Sequence, residues 1–367
     1  FSTKLNFVFS LTFIFCKLYK NIHFKSLTRT HSNKKGYNFI NSKFRKSKLY
    51  MKKIKRNLGY SLISMLVLLV LVFTVYGQKD IPVEKIKAKY GNTASKYMPL
   101  MGMQVHYRDE GNPSDSTPLV LIHGTSSSLH TWDSLVSIML ASSSNRRIIR
   151  FDLPAFGITG PNPENYYAGD YYVRFLDSFL NAMHINKCTL AGNSLGGAIA
   201  WQYTVAHPEK IAKLILIDAG GYPMKNEKGS LGFKLASTPV INNLLLVITP
   251  KFLVRKSLET VFYDNSLISD AIVTRYHEML LREGNRAATL SIFKNRIASS
   301  SEPIKTIKQP TLILWGEQDH LIAVENAYLF QKDIKGSVLA VYKNIGHTPM
   351  EEAPKMVAAS MENFLNN

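Results

Sequence analysis

The stretch Gly192-Asn193-Ser194-Leu195-Gly196 stands between an apolar run that ends at Ala191 and a helical pattern that begins at Leu195. It fits the pattern G-x-S-x-G, in which a sharp strand-to-helix turn strains the serine backbone and presents the hydroxyl clear of the sheet. Glycine is needed on both sides because a Cβ there would collide with the neighbouring strand or helix. The pentapeptide alone is weak evidence, but this strand-turn-helix context is specific. Ser194 is therefore our candidate nucleophile.

Strand and helix signals alternate on both sides of this turn. Short apolar runs typical of strands buried on both faces occur at residues 118–122, 147–151, 188–191, 214–217, 311–315 and 338–342, after an alternating strand pattern at 103–107. Helical patterns lie between them at residues 132–142, 169–183, 195–207, 324–333 and 355–365. Strands separated by helices of this length pair in parallel through right-handed crossovers. We therefore predict an open α/β sheet covered on both faces, with ligands bound beyond the carboxyl ends of its strands.

Residues 222–301 interrupt this alternation. They contain no convincing strand pattern and show helical patterns at residues 240–247, 251–262, 267–281 and 286–297. An independent helical domain is one interpretation, but the strand pattern resumes afterwards, which favours a cap inserted into a core made of residues 96–221 and 302–367. The cap side chains apolar enough to line an acyl pocket are Phe252, Phe262, Tyr263, Met279 and Phe293, although such residues at helical spacing more often serve packing.

A serine hydroxyl becomes a good nucleophile when a base takes its proton and a carboxylate orients that base. His347, in Gly346-His347-Thr348, follows the last predicted strand and is the candidate base. Asp319, in Trp315-Gly316-Glu317-Gln318-Asp319, follows the preceding strand and is the candidate acid. The order Ser194, Asp319, His347 along the chain is the one expected for this sheet topology.

Other carboxylates compete with Asp319 for the acid's position. Asp218 also ends a predicted strand and is the second candidate, while Glu317 is the third. Asp152, in Phe151-Asp152-Leu153-Pro154, is interpreted as a residue that holds a loop rather than as another catalytic acid.

Attack on a carbonyl places negative charge on oxygen, which needs hydrogen-bond donors held ready for it. The backbone N–H of Leu195 is one candidate because it lies at a helix N-terminus, where the helix dipole favours an anion. The second is the N–H of Thr125 in His123-Gly124-Thr125, after the strand at 118–122. Gly124 supplies the backbone freedom to aim it. An ordinary turn at 123–125 is the alternative interpretation.

The positive charge of the chain is concentrated at its N-terminus. Of 45 Lys and Arg residues, 15 lie in residues 1–56, and the first acidic residue is Asp80. The remainder of the chain contains 30 basic and 26 acidic residues. It is therefore a near-neutral domain without a nucleic-acid-binding stripe. With 46% hydrophobic and 19% charged residues in 367, global disorder and collagen are excluded. Two cysteines, Cys16 and Cys188, argue against a disulfide framework or a cysteine metal site.

Residues 1–50 begin with Phe1, lack acidic residues and show no repeat. The first methionine, Met51, opens the basic segment Met51-Lys52-Lys53-Ile54-Lys55-Arg56, which an uncharged run over residues 58–77 follows. We interpret residues 1–50 as translated upstream sequence. A targeting extension is the alternative, because transit peptides are also basic and poor in acidic residues.

The uncharged run predicts a membrane anchor. About 20 residues at 1.5 Å each span about 30 Å, the hydrocarbon thickness of a bilayer. An uncleaved single-pass anchor over residues 51–77 is the favoured interpretation, and a cleaved signal peptide is the alternative. The basic residues before the run leave that end in the cytoplasm. Both interpretations place the C-terminal domain on the non-cytoplasmic side, after a polar linker at residues 78–95.

Five segments together resemble the capped serine hydrolases of the α/β-hydrolase fold. They are His123-Gly124-Thr125, Asp152-Leu153-Pro154-Ala155-Phe156-Gly157, Gly192-Asn193-Ser194-Leu195-Gly196-Gly197, Trp315-Gly316-Glu317-Gln318-Asp319 and Gly346-His347-Thr348-Pro349. The resemblance extends from about Ser95 to the C-terminus and implies a mostly parallel sheet with a helical cap insertion. One departure is Ala155, where members usually carry glycine. A serine at position 194, instead of aspartate, argues against the dehalogenases and epoxide hydrolases of this group and implies acyl transfer to water.

The leading hypothesis is an esterase-like hydrolase that forms an acyl-enzyme on Ser194, with no cofactor or metal. Its expected partners are a small acyl substrate and a membrane, into which the N-terminal helix inserts. No nucleic-acid partner is expected. An alternative is hydrolysis of a C–C bond in a ring-cleavage diketone. Asn193 resembles the enzymes of that kind, whereas Thr348 stands where they tend to carry an aromatic residue. A ligand-binding receptor without turnover is a third possibility on the same fold.

Overall fold

The computed structural model describes residues 34–142, 145–223, 241–294 and 300–367, together with Leu235 and Thr238. Expectations for residues 1–33 lie outside the described residues, as do those for the parts of the predicted cap at 224–234, 236–237, 239–240 and 295–299.

The chain divides into two compact units, Phe1–Val70 and Leu71–Asn367. Helix α1 (Lys34–Tyr76) begins in the first unit and runs without a break through Met51. Its part Phe44–Tyr76 is long and apolar enough to cross a membrane, by length and composition, and none of its most apolar window is buried. The predicted N-terminal hydrophobic helix is therefore present.

Eight strands of the second unit form one sheet in the order β1-β2-β4-β3-β5-β6-β7-β8. They are β1 (Ser95–Leu100), β2 (Met103–Gly111), β3 (Leu119–Ile122), β4 (Arg147–Phe151), β5 (Cys188–Asn193), β6 (Ile211–Ile217), β7 (Thr311–Gly316) and β8 (Val338–Tyr342). The pairs β1–β2 and β2–β4 are antiparallel, and all other neighbours are parallel. The mostly parallel sheet is thus confirmed. Strand β1 was not predicted, because an edge strand none of whose residues is buried has no strong apolar pattern.

Helices follow α1 throughout the second unit. The described ones are α2 (Val83–Tyr90), α3 (Asp133–Ala141), α4 (Gly169–Ala182), α5 (Leu195–Ala206), α6 (Ile241–Leu244), α7 (Lys251–Val261), α8 (Asp270–Leu281), α9 (Asn285–Lys294), α10 (Glu325–Asp333), α11 (Pro349–Glu352) and α12 (Pro354–Asn366). On one face of the sheet, Phe175 of α4 and Ile199 of α5 join the larger apolar core. On the other face, Met139 of α3 and Met361 of α12 join a second core. Both faces are therefore covered, as predicted.

Helices α6 to α9 lie between β6 and β7, where the cap was expected. They have a small core of their own that includes Leu258, Phe262 and Val273. Phe262 is therefore a packing residue, and so is Met279, which contacts Ile86 of α2 in another cluster.

Helix α2 lies within residues 78–95, which the sequence predicted as a polar linker. It is held because Ile86 is 1% exposed and packs in a cluster with Met279 of the cap, while Lys89 and Tyr90 bond Glu278 of α8.

Candidate active site

Ser194 occupies the turn between β5 and α5, with φ 54° and ψ −115°. This left-handed φ is unfavourable for a residue with a Cβ and is maintained by its surroundings. The N–H of Ser194 donates to the carbonyl oxygen of Ile217 at 3.1 Å, and its own carbonyl oxygen accepts from Gly220 N–H at 3.0 Å. A Cβ on Gly196 would lie 2.1 Å from the carbonyl oxygen of Ile122, so α5 packs directly on the end of β3. The predicted turn geometry is present.

Asp319 and His347 form a buried pair at the same edge of the sheet. His347 Nδ1 lies 2.6 Å from Asp319 Oδ2, and the two side chains are 6% and 0% exposed. The other carboxylate oxygen of Asp319 accepts the N–H groups of Leu321 and Ile322 at 2.7 and 2.9 Å. These bonds fix the carboxylate from behind, so that it faces the imidazole.

The turn that carries Ser194 is bonded to the loop that carries His347. Asn193 Nδ2 donates to the carbonyl oxygen of His347 at 3.0 Å and also to that of Ile217 at 3.2 Å. Asn193 is buried, so these bonds are shielded from water. The structure thus joins the turn of Ser194 to the loop of His347, although 153 positions separate these two residues along the chain.

Asp218, the second candidate acid, lies beside this pair but does not bond the imidazole. Its Oδ1 accepts the N–H of Gly316 at 2.9 Å, while its buried Oδ2 has no hydrogen-bond partner among the described residues. One side-chain atom of each of Asp218, Asp319 and His347 lies within 4.8 Å of the other two. Burial, and then the nearby Asp319 carboxylate, raise the pKa of Asp218 well above its usual range. These surroundings thus favour the neutral form of Asp218, which does not suit an imidazolium partner.

Glu317 and Asp152 also lie away from His347. Glu317 is exposed and accepts from the side chain of Gln318. Asp152 is fully buried and accepts the N–H groups of Leu129 and Ile158 at 2.7 and 2.8 Å, as expected of a residue that holds a loop.

The sequence did not show that His106 is the partner of Asp152. His106 Nδ1 lies 2.8 Å from Asp152 Oδ2, with both side chains fully buried. Burial alone would raise the pKa of Asp152, but the His106 imidazole holds it well below its usual range. The same loop contains Ala155 at φ 83°, so the residue that replaces the usual glycine adopts the conformation glycine favours.

The loop after β3 packs closely against the turn of Ser194. A Cβ on Gly124 would lie 3.0 Å from Ser194 Cβ and 2.9 Å from Asn193 Oδ1, so only glycine fits there without a shift. His123 is fully buried and holds the loop, since its Nδ1 bonds the carbonyl oxygen of Gly124 at 2.7 Å and its Nε2 accepts Leu153 N–H at 2.9 Å. Burial lowers the pKa of His123, which keeps the imidazole neutral.

Glu352 was missed by the sequence analysis, although it follows the His347 motif closely. Its carboxylate accepts the N–H of Gly346 at 2.9 Å and those of Tyr263 and Asp264 in the cap at 2.8 and 3.3 Å. The N–H of His347 itself donates to the carbonyl oxygen of Val261 at 2.8 Å. The cap is therefore fastened to the histidine loop. The two adjacent acidic residues at positions 351–352 were the sequence feature that could have indicated this contact.

A family model described as alpha/beta hydrolase fold matches residues 117–354, from β3 to the start of α12. That range contains every element around Ser194, Asp319 and His347. The chain belongs to the alpha/beta hydrolase family. It is a hydrolase, and the family expected from the five sequence segments is confirmed.

Individual alpha/beta hydrolases are similar to most of the second unit. A 2-hydroxy-6-oxo-2,4-heptadienoate hydrolase of Pseudomonas putida is 27% identical over 271 residues, which are 72% of this chain and 93% of that protein. A 2-hydroxymuconate semialdehyde hydrolase of a Pseudomonas species is 24% identical, over 72% of this chain and 91% of that protein. Among solved structures, a meta-cleavage product hydrolase of Pseudomonas fluorescens IP01 is 26% identical with a TM-score of 0.63, covering 74% of this chain and 97% of that one.

Proposed function

We propose that this hydrolase acts through an acyl-enzyme on Ser194. His347 takes the proton of the Ser194 hydroxyl and later activates water, while Asp319 orients the imidazole and stabilises its positive charge. The N–H groups of Leu195 and Thr125 bind the oxyanion. The observation that carries this proposal is the 2.6 Å bond between Asp319 and His347, in a loop that Asn193 ties to the turn of Ser194.

The substrate we infer first is a ring-cleavage diketone, in which a C–C bond is broken. The named relatives support it, since the solved one is a meta-cleavage product hydrolase. Ser194 loses its proton to His347 and attacks the ketone carbon of the diketo tautomer. The C–C bond then breaks, its electron pair passes into the conjugated enone, and the resulting dienolate gains a proton and leaves as the dienol. Water then releases the acid from Ser194. This choice replaces the ester as the leading candidate.

A carboxylic ester is the second candidate, and Thr348 favours it. The site has threonine where the C–C hydrolases tend to carry an aromatic residue next to the histidine. Thr348 Oγ1 is buried and has no hydrogen-bond partner among the described residues, so a polar atom replaces an aromatic surface beside His347. The same acyl-enzyme chemistry cleaves an ester, with the alcohol as leaving group.

One assay separates these candidates. The full chain is given a coloured dienoate ring-cleavage product and a series of p-nitrophenyl esters of increasing chain length. Faster turnover of the dienoate than of the esters supports the C–C assignment, with Ser194→Ala lowering that turnover by about 10³-fold or more. Faster turnover of one ester class moves the assignment to an esterase.

A fluorophosphonate probe tests the nucleophile without knowledge of the substrate. It should label the protein on Ser194, and Ser194→Ala should stay unlabelled. A folded chain that resists the probe and turns over neither substrate class would instead indicate a receptor on the same fold.

We also propose that the chain is anchored in a membrane by α1, with the second unit on the non-cytoplasmic side. The apolar part Phe44–Tyr76 supports this by its length and composition. The basic residues on its N-terminal side support the orientation.

A further inference from the structure

The segment that follows α1 is bonded directly to the cap. Gln78 N–H donates to the carbonyl oxygen of Val247 at 2.8 Å, and Gly77 forms an antiparallel bridge with Ile248. The side-chain oxygen of Gln78 lies 3.0 Å from Nε2 of His277 in α8. The chain is therefore held by the cap within two residues of the end of α1.

Further bonds hold the next residues in the same place. The guanidinium of Arg286, 6% exposed, contacts Asp80 Oδ1 at 2.6 Å and the carbonyl oxygen of Gln78 at 3.0 Å. Ile81 N–H donates to the carbonyl oxygen of Leu281 at 2.7 Å. A partly buried ion pair and backbone hydrogen bonds on both sides therefore restrict the movement of this segment relative to the cap.

The cap surface next to this attachment is apolar and basic. Leu246, one residue before Val247, is 37% exposed, and Phe252 at the start of α7 is 60% exposed. Lys251 is also exposed, and the Lys256 side chain is 61% exposed and pairs with Glu259 at 2.6 Å. Exposed Leu and Phe side chains beside lysines are the composition of surfaces that lie in the interface of a bilayer.

Chain length then limits how far this surface can be from a membrane. A residue spans at most about 3.6 Å, so Gln78 lies within about 7 Å of the last residue of α1. If α1 crosses the bilayer as proposed above, Val247 and Ile248 lie at the membrane surface. We propose that residues 246–252 form a lipid-docking surface, with Leu246 and Phe252 inserted among the headgroups and Lys251 and Lys256 at their level.

Helix α7 connects this docking surface to the active site. It contains Phe252 near its start and ends at Val261, whose carbonyl oxygen accepts the His347 N–H. The lipid surface would therefore contact the cap element that is fastened to the histidine loop.

The test places a tryptophan at three exposed positions of the full chain, reconstituted in phosphatidylcholine vesicles with brominated acyl chains as the quencher. Leu68→Trp, 61% exposed in α1, reports the anchor, and Phe252→Trp reports the docking surface. Tyr328→Trp in α10, at a 52% exposed position, is the matched control. The native Trp132, Trp201 and Trp315 are at most 2% exposed and give a constant background.

The expected result is strong quenching and a blue shift for Leu68→Trp and Phe252→Trp, and neither for Tyr328→Trp. Quenching of Leu68→Trp alone overturns the docking surface and leaves the anchor standing. Equal quenching at positions 252 and 328 also overturns it, since the contact would not be specific. No quenching of Leu68→Trp overturns both the anchor and the docking.

Discussion

Two buried carboxyl groups lie side by side at the active-site edge, and their neighbours give them different properties. Asp319 accepts two backbone N–H groups and faces His347 at 2.6 Å, so both of its oxygens have partners. Asp218 accepts one N–H and keeps a buried oxygen without a partner among the described residues. The sequence left both as candidates because each follows a strand at the same edge.

Substitution by asparagine should separate the two residues. Asp319→Asn removes the charge that orients and stabilises the imidazolium, and should lower kcat by about 10⁴-fold. Asp218→Asn keeps the shape of a side chain that does not bond the imidazole, and should keep kcat within about tenfold of wild type. Steady-state kinetics on the best substrate measures both, and equal losses would contradict the assignment of the acid.

The raised pKa of Asp218 also predicts a pH dependence of stability. Above the pKa of about 3.9 of an unfolded aspartate, the native state keeps a proton that the unfolded state has released. Stability therefore falls with rising pH, by at most about 1.4 kcal/mol per unit, until the native pKa is reached. Since asparagine does not titrate, Asp218→Asn should gain in Tm relative to wild type between pH 5 and pH 8.

The control for that measurement is Met356→Leu, because position 356 is 51% exposed and neither side chain titrates. Its Tm difference from wild type should stay constant over the same pH range. A constant difference for Asp218→Asn as well would mean that Asp218 titrates normally.

At the level of elements, the position of α5 depends on glycines that let backbones touch. A Cβ on Gly196 would meet the carbonyl oxygens of Ile122 and His123 at 2.1 and 2.7 Å, and one on Gly192 would meet that of Gly196 at 2.2 Å. Backbone atoms cannot yield as a flexible side chain can. The N-terminus of α5, with the N–H of Leu195, is thereby pressed against the loop that carries Thr125.

Gly196→Ala should therefore impair both stability and turnover. Overpacking costs about 1–3 kcal/mol, and displacement of one oxyanion donor costs about 10²–10³-fold in kcat. Gly220→Ala is the matched control, since its Cβ would lie in ordinary contact, 3.5 Å from Ala198 Cβ and 3.6 Å from the carbonyl oxygen of Ser194. Thermal unfolding and kcat of both variants check this, and a fully active Gly196→Ala would refute the packing argument.

For the whole molecule, the anchor that we propose in α1 predicts where the enzyme works. The full chain should stay with membranes through high salt and alkaline carbonate, because about 20 apolar residues are removed from water. A variant with Val67→Lys and Leu71→Lys should be released, since each lysine near the bilayer centre costs about 2.5–3.5 kcal/mol. Membrane flotation followed by immunoblotting measures the bound fraction. Release of the unaltered chain by salt alone would show peripheral binding.

Much of this molecule could be predicted from local patterns. The strands at 147–151 and 338–342 have the predicted bounds, because short runs rich in β-branched and aromatic residues favour strands. Strand β1 and helix α2 were missed, since one lies at an exposed edge and the other is docked by Ile86 and by bonds to Glu278. Local patterns fail where an element depends on a few long-range contacts.

The sequence alone determined the alternation of strands and helices, the turn at Ser194 and the order of the three site residues, because these depend on spacing and on the small size of glycine. Only the tertiary structure showed that Asp319, and not Asp218, meets His347, that His106 holds Asp152, and that Glu352 fastens the cap to the histidine loop. Such choices follow from distances of a few ångströms between residues far apart in the chain, and the charge of a buried carboxyl depends on that arrangement.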